Sequence, residues 1–389
     1  MQVIRKARNN QAMSIIEITP AQAREQQLRG APLVDVREDH ERAGGQAEGA
    51  RGIALAELEA NPALHLPDRA SAVMLICQGG ARSLRAAQAL HDAGYLQLYS
   101  VAGGTTRWRD DGLPVVLPPQ SAAQADFNDR YSRQLRLPEI GADGQRRLQA
   151  ARVLIVGAGG LGSPAALYLA AAGIGHLRIA DDDVVERSNL QRQVLHADAR
   201  IGAAKVASAK ATLLGLNPGT RVEAVQERVD ASNVERLLQD VDVVVDGADN
   251  FPARYLLNDA CVKLGKPLVY GAVQRFDGQV SVFDAGRQRG QAPCYRCLFP
   301  QPPASQDAPN CAEAGVLGVV PGVIGVLQAT EAIKLLLGIG EPLAGRLLHF
   351  DALSMRFREI LLRPDPDCII CKPGAVFPGY IDYAQFCGD

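Results

Sequence analysis

The sequence predicts an α/β protein of two domains, the second a larger nucleotide-binding domain with a mixed sheet. Three observations carry that expectation. Between Arg152 and Asp181 a β-branched run, a glycine turn, an alanine-rich helix and a second apolar strand follow one another. A separate set of strand and helix patterns precedes them, and two C-x-x-C pairs follow. At 389 residues the chain is long enough for each domain to bury its own core.

Composition narrows the classes. An apolar fraction of 47% and a charged fraction of 22% are ordinary for a soluble globular protein. The net charge of -2 argues against broad attraction to nucleic acid or membrane, so neither is expected as a partner. The N-terminal MQVIRKARNNQAMS is basic but lacks an apolar core, so no secretory signal is expected and the location is read as cytoplasmic. Val316 to Thr330 carries no charge but is shorter than the ~20 residues needed to span a bilayer. Glu331 and Lys334 follow at helical spacing, so a buried core helix is expected there. Eight cysteines in such a chain point to thiol or metal chemistry in a reducing compartment.

The first domain is expected over residues 14–118. PLVDVRE (Pro32 to Glu38) reads as a buried strand ending in charge, and AVMLIC (Ala72 to Cys77) as a second. Cys77 thus falls at a strand C-terminus, where α/β sheets place ligands and reactive groups. The turn from Gln78 to Ser83 then leads into a helix, LRAAQALHDAG. Successive N–H groups in such a turn form an anion nest. The helix dipole and Arg82 add positive potential, so Cys77 is expected to be a thiolate. The segment resembles a rhodanese domain in DVRE with Asp35 and Arg37, in CQGGARS, and in VAGGTTRWRDDGLPV from Val101 to Val115. The resemblance implies that Cys77 carries a persulfide whose terminal sulfur the loop amides cradle.

Residues 119–126, rich in proline and alanine without an apolar period, are read as a linker, and 127–389 as the second domain. RVLIV is its first strand. Gly157, Gly159, Gly160 and Gly162 form the turn that lets backbone approach phosphates at a helix N-terminus. HLRIAD is the next strand. It ends in Asp181-Asp182-Asp183, about 20 residues on, where a ribose-binding carboxylate belongs. SNLQRQ, with Arg192, and then Lys205 are not dehydrogenase-like: two cations near a phosphate turn point to chemistry on the phosphates. DVVVDGADN is another buried strand, which puts Asp249 on the same sheet edge as the glycine turn. A carboxylate there can hold Mg²⁺ bridging nucleotide phosphates, or cap the helix PARYLLNDACVKLG. KPLVYGAV and GQVSVFD add strands, the latter antiparallel. By spacing alone Arg133 reads as a solvated charge, His196 as structural and Cys261 as core.

Cys294-Tyr295-Arg296-Cys297 and Cys368-Ile369-Ile370-Cys371 contain no histidine. One pair could be redox-active, but two in one domain are the pattern of a tetrahedral Cys₄ zinc site. All four positions are filled, so Zn²⁺ there is structural and clips the C-terminal segment onto the domain. Cys311, in APNCAEAG, is either a nucleophile or a bystander. Cys387 has no clear partner.

From about Phe127 onward the chain resembles the molybdopterin-synthase adenylyltransferases, the MoeB/ThiF branch of the ubiquitin-activating-enzyme superfamily. The matching residues are YSRQ, GAGGLG, DDDVVERSNLQRQ, GAAK, GADN, CYRCLFP, the cysteine of PNCAEAG, and CIIC. The resemblance implies a Rossmann-like adenylation domain with Gly160 against the phosphates of ATP and Asp181 against the ribose. Asn189, Arg192 and Lys205 would hold the triphosphate and Asp249 would bind Mg²⁺. Arg133 would reach across a homodimer interface into the neighbour's site. Familiar fusions of this family place the rhodanese domain last; here it comes first.

The function so implied is ATP-dependent adenylation of the C-terminal Gly-Gly carboxylate of a ubiquitin-like sulfur-carrier protein. Sulfur transfer from the Cys77 persulfide then gives a thiocarboxylate, with Cys311 cleaving the acyl disulfide. Thiosulfate or a cysteine desulfurase persulfide would supply the sulfur, and molybdenum cofactor biosynthesis is one of several pathways served. The alternative is a ubiquitin-like-protein-activating enzyme that passes its carrier through a Cys311 thioester. A dinucleotide-dependent oxidoreductase would account for the glycine turn but not for Arg192, Lys205 and the Cys₄ pattern. A non-enzymatic scaffold would bind a carrier irrespective of ATP.

Overall fold

Short apolar runs in this chain become parallel strands because both of their faces are covered. The structure, a computed structural model, describes residues 15–119, 121–301, 315–383 and 385. Cys311 and Cys387 lie outside them. The chain divides into two compact units, Met1–Leu135 and Arg136–Asp389.

The first unit begins with β1 (Ile16–Ile18), α1 (Pro20–Leu28), β2 (Leu33–Asp35), α2 (Asp39–Arg42), β3 (Gln46–Ala47) and β4 (Arg51–Gly52). It continues with α3 (Leu55–Ala60), α4 (Pro62–His65), β5 (Ala72–Ile76), α5 (Ala81–Asp92), β6 (Gln97–Val101), α6 (Gly104–Asp110), β7 (Val115–Val116) and α7 (Ala122–Arg130). Its main sheet has the order β1-β6-β5-β2-β4, with every neighbouring pair parallel. β5 alternates between two cores: Val73, Leu75 and the following Cys77 face one, Met74 and Ile76 the other. Both faces are therefore dry, and the chain emerges at Cys77. Within the stretch read as a linker, Ser121 caps α7, its Oγ accepting the Gln124 N–H at 3.1 Å.

The second unit runs α8 (Gly141–Ala150), β8 (Arg152–Val156), α9 (Gly162–Ala171), β9 (His176–Ala180), α10 (Lys205–Leu216), β10 (Arg221–Val225), α11 (Val234–Leu238) and β11 (Val243–Asp246). Then follow α12 (Phe251–Leu264), β12 (Leu268–Gln274), β13 (Asp277–Phe283), α13 (Tyr295–Leu298), α14 (Val319–Leu337), β14 (Arg346–Asp351) and β15 (Arg356–Leu361). The sheet order is β10-β9-β8-β11-β12-β13-β14-β15. It is parallel from β10 to β12 and antiparallel beyond, so the sheet is mixed as expected. The chain winds outward from β8 through β9 to β10, then returns to the other side of β8 with β11. That reversal opens a crevice at the carboxyl ends of β8 and β11.

Val153 and Ile155 of β8 pack with α9, α10 and α14 on one face, and Leu154 and Val156 with α11 and α12 on the other. By length and composition α14 could cross a membrane. Its Val320, Ile324, Ala329, Ala332 and Leu337 instead enter the main core, in line with the core helix expected.

Candidate functional site

β8 and β11 pair with Val156 beside Asp246, so the turns that leave them start side by side. A Cβ on Gly157 would lie 2.6 Å from the Gly247 carbonyl oxygen, and one on Gly162 only 1.8 Å from that of Gly157. Gly157 also adopts a φ of +93°, in the region that favours glycine. Steric approach at the reversal point alone thus requires these glycines. Above the turn opens a cavity of about 380 Å³. Gly157, Gly159, Gly160, Asp181, Arg192, Lys205 and Asp249 line it, together with Glu227, Arg228, Gly247, Ala248, Arg254 and Pro321. Gly162 and Asn189 do not: Gly162 is buried at the start of α9, and the buried Asn189 amide donates to Ser188 Oγ at 3.2 Å. Arg133 falls within the first unit and is not among the lining residues.

The cavity's charges are held in place by backbone. Asp181 accepts the Ala158 N–H on Oδ2 at 2.7 Å and the Asp183 N–H on Oδ1 at 2.9 Å. Burial nevertheless raises its pKa above the usual carboxylate value. Lys205, buried at the start of α10, donates to Asp183 Oδ2 at 2.8 Å. His196 ties the glycine turn to α10, with Nε2 2.9 Å from the Ala158 oxygen and Nδ1 3.0 Å from Ser208 Oγ. A carbonyl can only accept, so Nε2 carries the proton and Nδ1 accepts from Ser208. Burial keeps this imidazole neutral, its pKa below the ordinary value, so His196 is structural as expected.

Asp249 does not cap the helix that follows it. Asn250 does, its Oδ1 accepting the Ala253 N–H at 3.0 Å. That leaves the exposed Asp249 carboxylate at the cavity wall, a hard oxygen donor of the kind that suits Mg²⁺. Two residues escaped the sequence reading. Arg254 lines the cavity, donating to the Ala248 oxygen at 3.0 Å with its guanidinium 5.6 Å from the Tyr270 ring centroid. Asp246 is fully buried; desolvation pushes its pKa up to about 6, against the pull of Arg254 3.8 Å away. Arg254 stands one helical turn beyond GADN, but no spacing rule singles it out.

The four paired cysteines converge. The Cys294 sulfur lies 3.9 Å from that of Cys297 and 3.6 Å from that of Cys368, and Cys297 lies 3.3 Å from Cys371. A tetrahedral site with metal–sulfur bonds of ~2.3 Å has sulfur–sulfur edges of ~3.8 Å, so this set fits zinc. Sulfurs this close share their protons: hydrogen bonding within the cluster lowers the pKa of Cys297 and Cys368 and raises that of Cys294 and Cys371. Arg296, between two of these cysteines, makes two parallel 2.8 Å bonds to buried Asp259 of α12. Tyr383 donates to the same carboxylate at 2.8 Å.

In the first unit Cys77 is 1% exposed. Its Sγ accepts the Gly80 N–H at 3.1 Å and lies 3.6 Å from Ser83 Oγ. The loop's carbonyls face the other way, accepting from the first N–H groups of α6. Thr105 reaches the Cys77 oxygen at 2.7 Å and Thr106 the Gln78 oxygen at 3.1 Å. The Gly80 N–H points to the sulfur while these carbonyls are held from α6. Arg82 acts on Cys77 as expected, but not alone. Its two terminal nitrogens bind the Glu41 carboxylate at 2.7 and 2.6 Å, so Glu41 offsets part of the positive charge that Arg82 presents to Cys77.

A model of the ThiF family matches residues 131–370, and one of the rhodanese-like domain matches residues 19–111. The chain is 54% identical over 260 residues to "SAMP-activating enzyme E1" of Haloferax volcanii, covering 67% of this chain and 94% of the relative. It is 52% identical over 261 residues to "Sulfur carrier protein adenylyltransferase" of Thermus thermophilus, covering 67% and 96%. Against "Probable adenylyltransferase/sulfurtransferase MoeZ" of Mycobacterium tuberculosis it is 48% identical over 276 residues, covering 71% and 69%. A crystal structure of E. coli MccB with ATP shares the fold, with a TM-score of 0.53 at 22% identity over 65% of this chain and 74% of that one. The chain belongs to the ThiF family and carries a rhodanese-like domain ahead of its ThiF-family domain.

Proposed function

We propose that this protein adenylates the C-terminal Gly-Gly carboxylate of a ubiquitin-like sulfur-carrier protein and then converts it to a thiocarboxylate with sulfur from Cys77. The observation that carries the reading is the convergence of the glycine turn, Asp181, Arg192, Lys205 and Asp249 on one cavity of about 380 Å³. Relatives at about half identity named as sulfur carrier protein adenylyltransferase and adenylyltransferase/sulfurtransferase support it.

The carrier carboxylate is an anion at neutral pH, so it needs no general base to attack the α-phosphorus of ATP. Pyrophosphate leaves as the new P–O bond forms. Arg192 and Lys205, fixed before substrate arrives, stabilise the charge that develops on the phosphate oxygens. Asp249 would hold Mg²⁺, whose charge would favour negative charge on the phosphate oxygens. Arg133 of a second copy completes the site in a homodimer. The terminal sulfur of the Cys77 persulfide attacks the acyl carbon, expelling AMP and leaving an acyl disulfide. Thiol attack on Cys77 Sγ, for which Cys311 is the candidate, breaks the acyl disulfide's S–S bond, releases the thiocarboxylate and leaves a disulfide on Cys77 that an external thiol reduces before the next turnover. Cys294, Cys297, Cys368 and Cys371 would hold Zn²⁺ as a structural ion, and the site of action is the cytoplasm.

The test is carrier-dependent ATP–pyrophosphate exchange, followed by mass analysis of the carrier. Exchange with a Gly-Gly carrier of the host and a gain of one sulfur in place of oxygen are expected. No exchange with any such carrier would end the adenylation reading. Similarity to "SAMP-activating enzyme E1" favours a second reading, passage of the carrier through a Cys311 thioester. That reading requires a reductant-sensitive carrier adduct which Cys311→Ser abolishes.

A further inference from the structure

The Cys77 loop has a feature that its sulfurtransferase role does not use: the arginine in its first helical turn is already occupied. Arg82 and Glu41 form a two-pronged pair, with side chains 37% and 21% exposed. Glu41 is itself held, its Oε2 accepting the Glu38 N–H at 3.0 Å in a reciprocal helix cap. The pairing therefore rests on a fixed carboxylate and not on two flexible side chains meeting in water, which would be worth little. Hydrogen bonding to Arg82 keeps the Glu41 carboxyl below its usual pKa despite burial, so it is charged at neutral pH. The neighbouring arginines are engaged as well. Arg37 binds Asp35 through two nitrogens and donates to Gln78 Oε1 at 3.1 Å, and Arg42 pairs with Asp39.

We propose that Glu41 sets the charge selectivity of the Cys77 loop: by pairing with Arg82 it weakens the positive field at the sulfur, disfavours doubly charged sulfur donors such as thiosulfate and leaves the loop suited to thiol persulfides. The inference rests on the proposed sulfurtransferase reading and specifies its donor. A dianion approaching a sulfur that is 1% exposed must shed water, and with Arg82 already paired to Glu41 less of that cost is offset. A thiol persulfide carries at most one charge, on the sulfur being transferred, beside the Gly80 N–H at the Cys77 sulfur. In either case the Cys77 thiolate attacks the outer sulfur, forming a Cys77 S–S bond. The donor's own S–S bond breaks, and its electron pair leaves with a thiolate or, from thiosulfate, with sulfite.

The experiment measures kcat/KM for two donors, thiosulfate and the persulfide of 2-mercaptoethanol, with mass analysis of Cys77 for one added sulfur. Glu41→Gln keeps an acceptor for the Glu38 N–H and removes the charge. It is expected to raise kcat/KM for thiosulfate about tenfold, as one charge-assisted contact becomes available, while raising that for the persulfide less than about threefold. Adding Arg82→Gln to Glu41→Gln is expected to cancel the gain. A thiosulfate gain below about threefold, an equal gain for both donors, or a gain that survives loss of Arg82 overturns the proposal. Failure of the unmutated chain to acquire sulfur on Cys77 from either donor would instead remove the sulfurtransferase reading itself.

Discussion

Replacing Arg296 by methionine tests how the cysteine cluster is joined to the rest of its unit. Arg296 is 5% exposed and Asp259 2%, and they share two parallel 2.8 Å bonds. Removing the guanidinium leaves a buried carboxylate with two neutral donors, Tyr383 at 2.8 Å and the Asn258 amide at 3.0 Å. Breaking one side of such a pair costs about 3–5 kcal/mol. In a unit of this size each kcal/mol lowers the midpoint by about 2–4 °C, so a drop of about 10 °C is expected by calorimetry. The chain's single tryptophan, Trp108, is buried in the first unit, so its fluorescence follows a separate transition that should not move. Replacing Asp259 by leucine in the Arg296→Met background removes the stranded charge and should recover at least half of the loss. A calorimetric shift below about 2 °C, or a Trp108 transition that moves in step, would show that the pair does not secure this lobe.

Lys205→Met is expected to lower kcat for pyrophosphate exchange about 100-fold, with a smaller change in KM, because its cation acts on charge that grows in the transition state. A loss confined to KM would make it a binding residue only. In the unfolded chain His196 titrates near its ordinary 6.5, whereas burial keeps it neutral to lower pH in the fold. Below about 6.5 the unfolded chain therefore takes up the extra proton and stability falls with pH. The stability gap between the unmutated chain and His196→Gln should narrow from pH 8 to pH 5.5 in denaturant titrations; a gap that widens contradicts the neutral assignment. Stripping metal with a strong chelator should open the segment between Pro364 and Tyr383 to protease. An unchanged cleavage pattern by mass spectrometry would remove the clip.

What the sequence disclosed and what it withheld follow a physical division. The turn after β8 was legible because close approach of two backbones admits only glycine, and Gly157 and Gly162 record that demand in one place. The convergence of Cys294, Cys297, Cys368 and Cys371 was legible because two C-x-x-C pairs without histidine follow the spacing of a four-sulfur site, which admits no other residue type. The unbroken apolar run from Val73 to Cys77 marked a buried strand with the Cys77 sulfur at its end. By contrast, the Arg82–Glu41 pair joins positions far apart in the chain, and no period or spacing relates them. Asp246 and Arg254 share that difficulty: each looks ordinary until the turns after β8 and β11 are brought together. Asp249 and Asn250 are adjacent polar residues before a helix, both of a type that caps, and only geometry assigns the cap to Asn250.

The two sites treat cations in opposite ways, and the difference explains why one should hold a polyphosphate and the other turn dianions away. In each, the key cation already has an acidic partner: Lys205 with Asp183, Arg82 with Glu41. Asp183 is 67% exposed at the cavity mouth, so water can solvate it when a phosphate oxygen takes its place on the buried ammonium. Exchanging a solvated carboxylate for a triphosphate with several charges costs little and gains much. Glu41 is 21% exposed and is fixed by the Glu38 N–H, so displacing it would strand a half-buried carboxylate. Lys205 is therefore a cation held ready for a stronger anion, and Arg82 one that the fold has already committed.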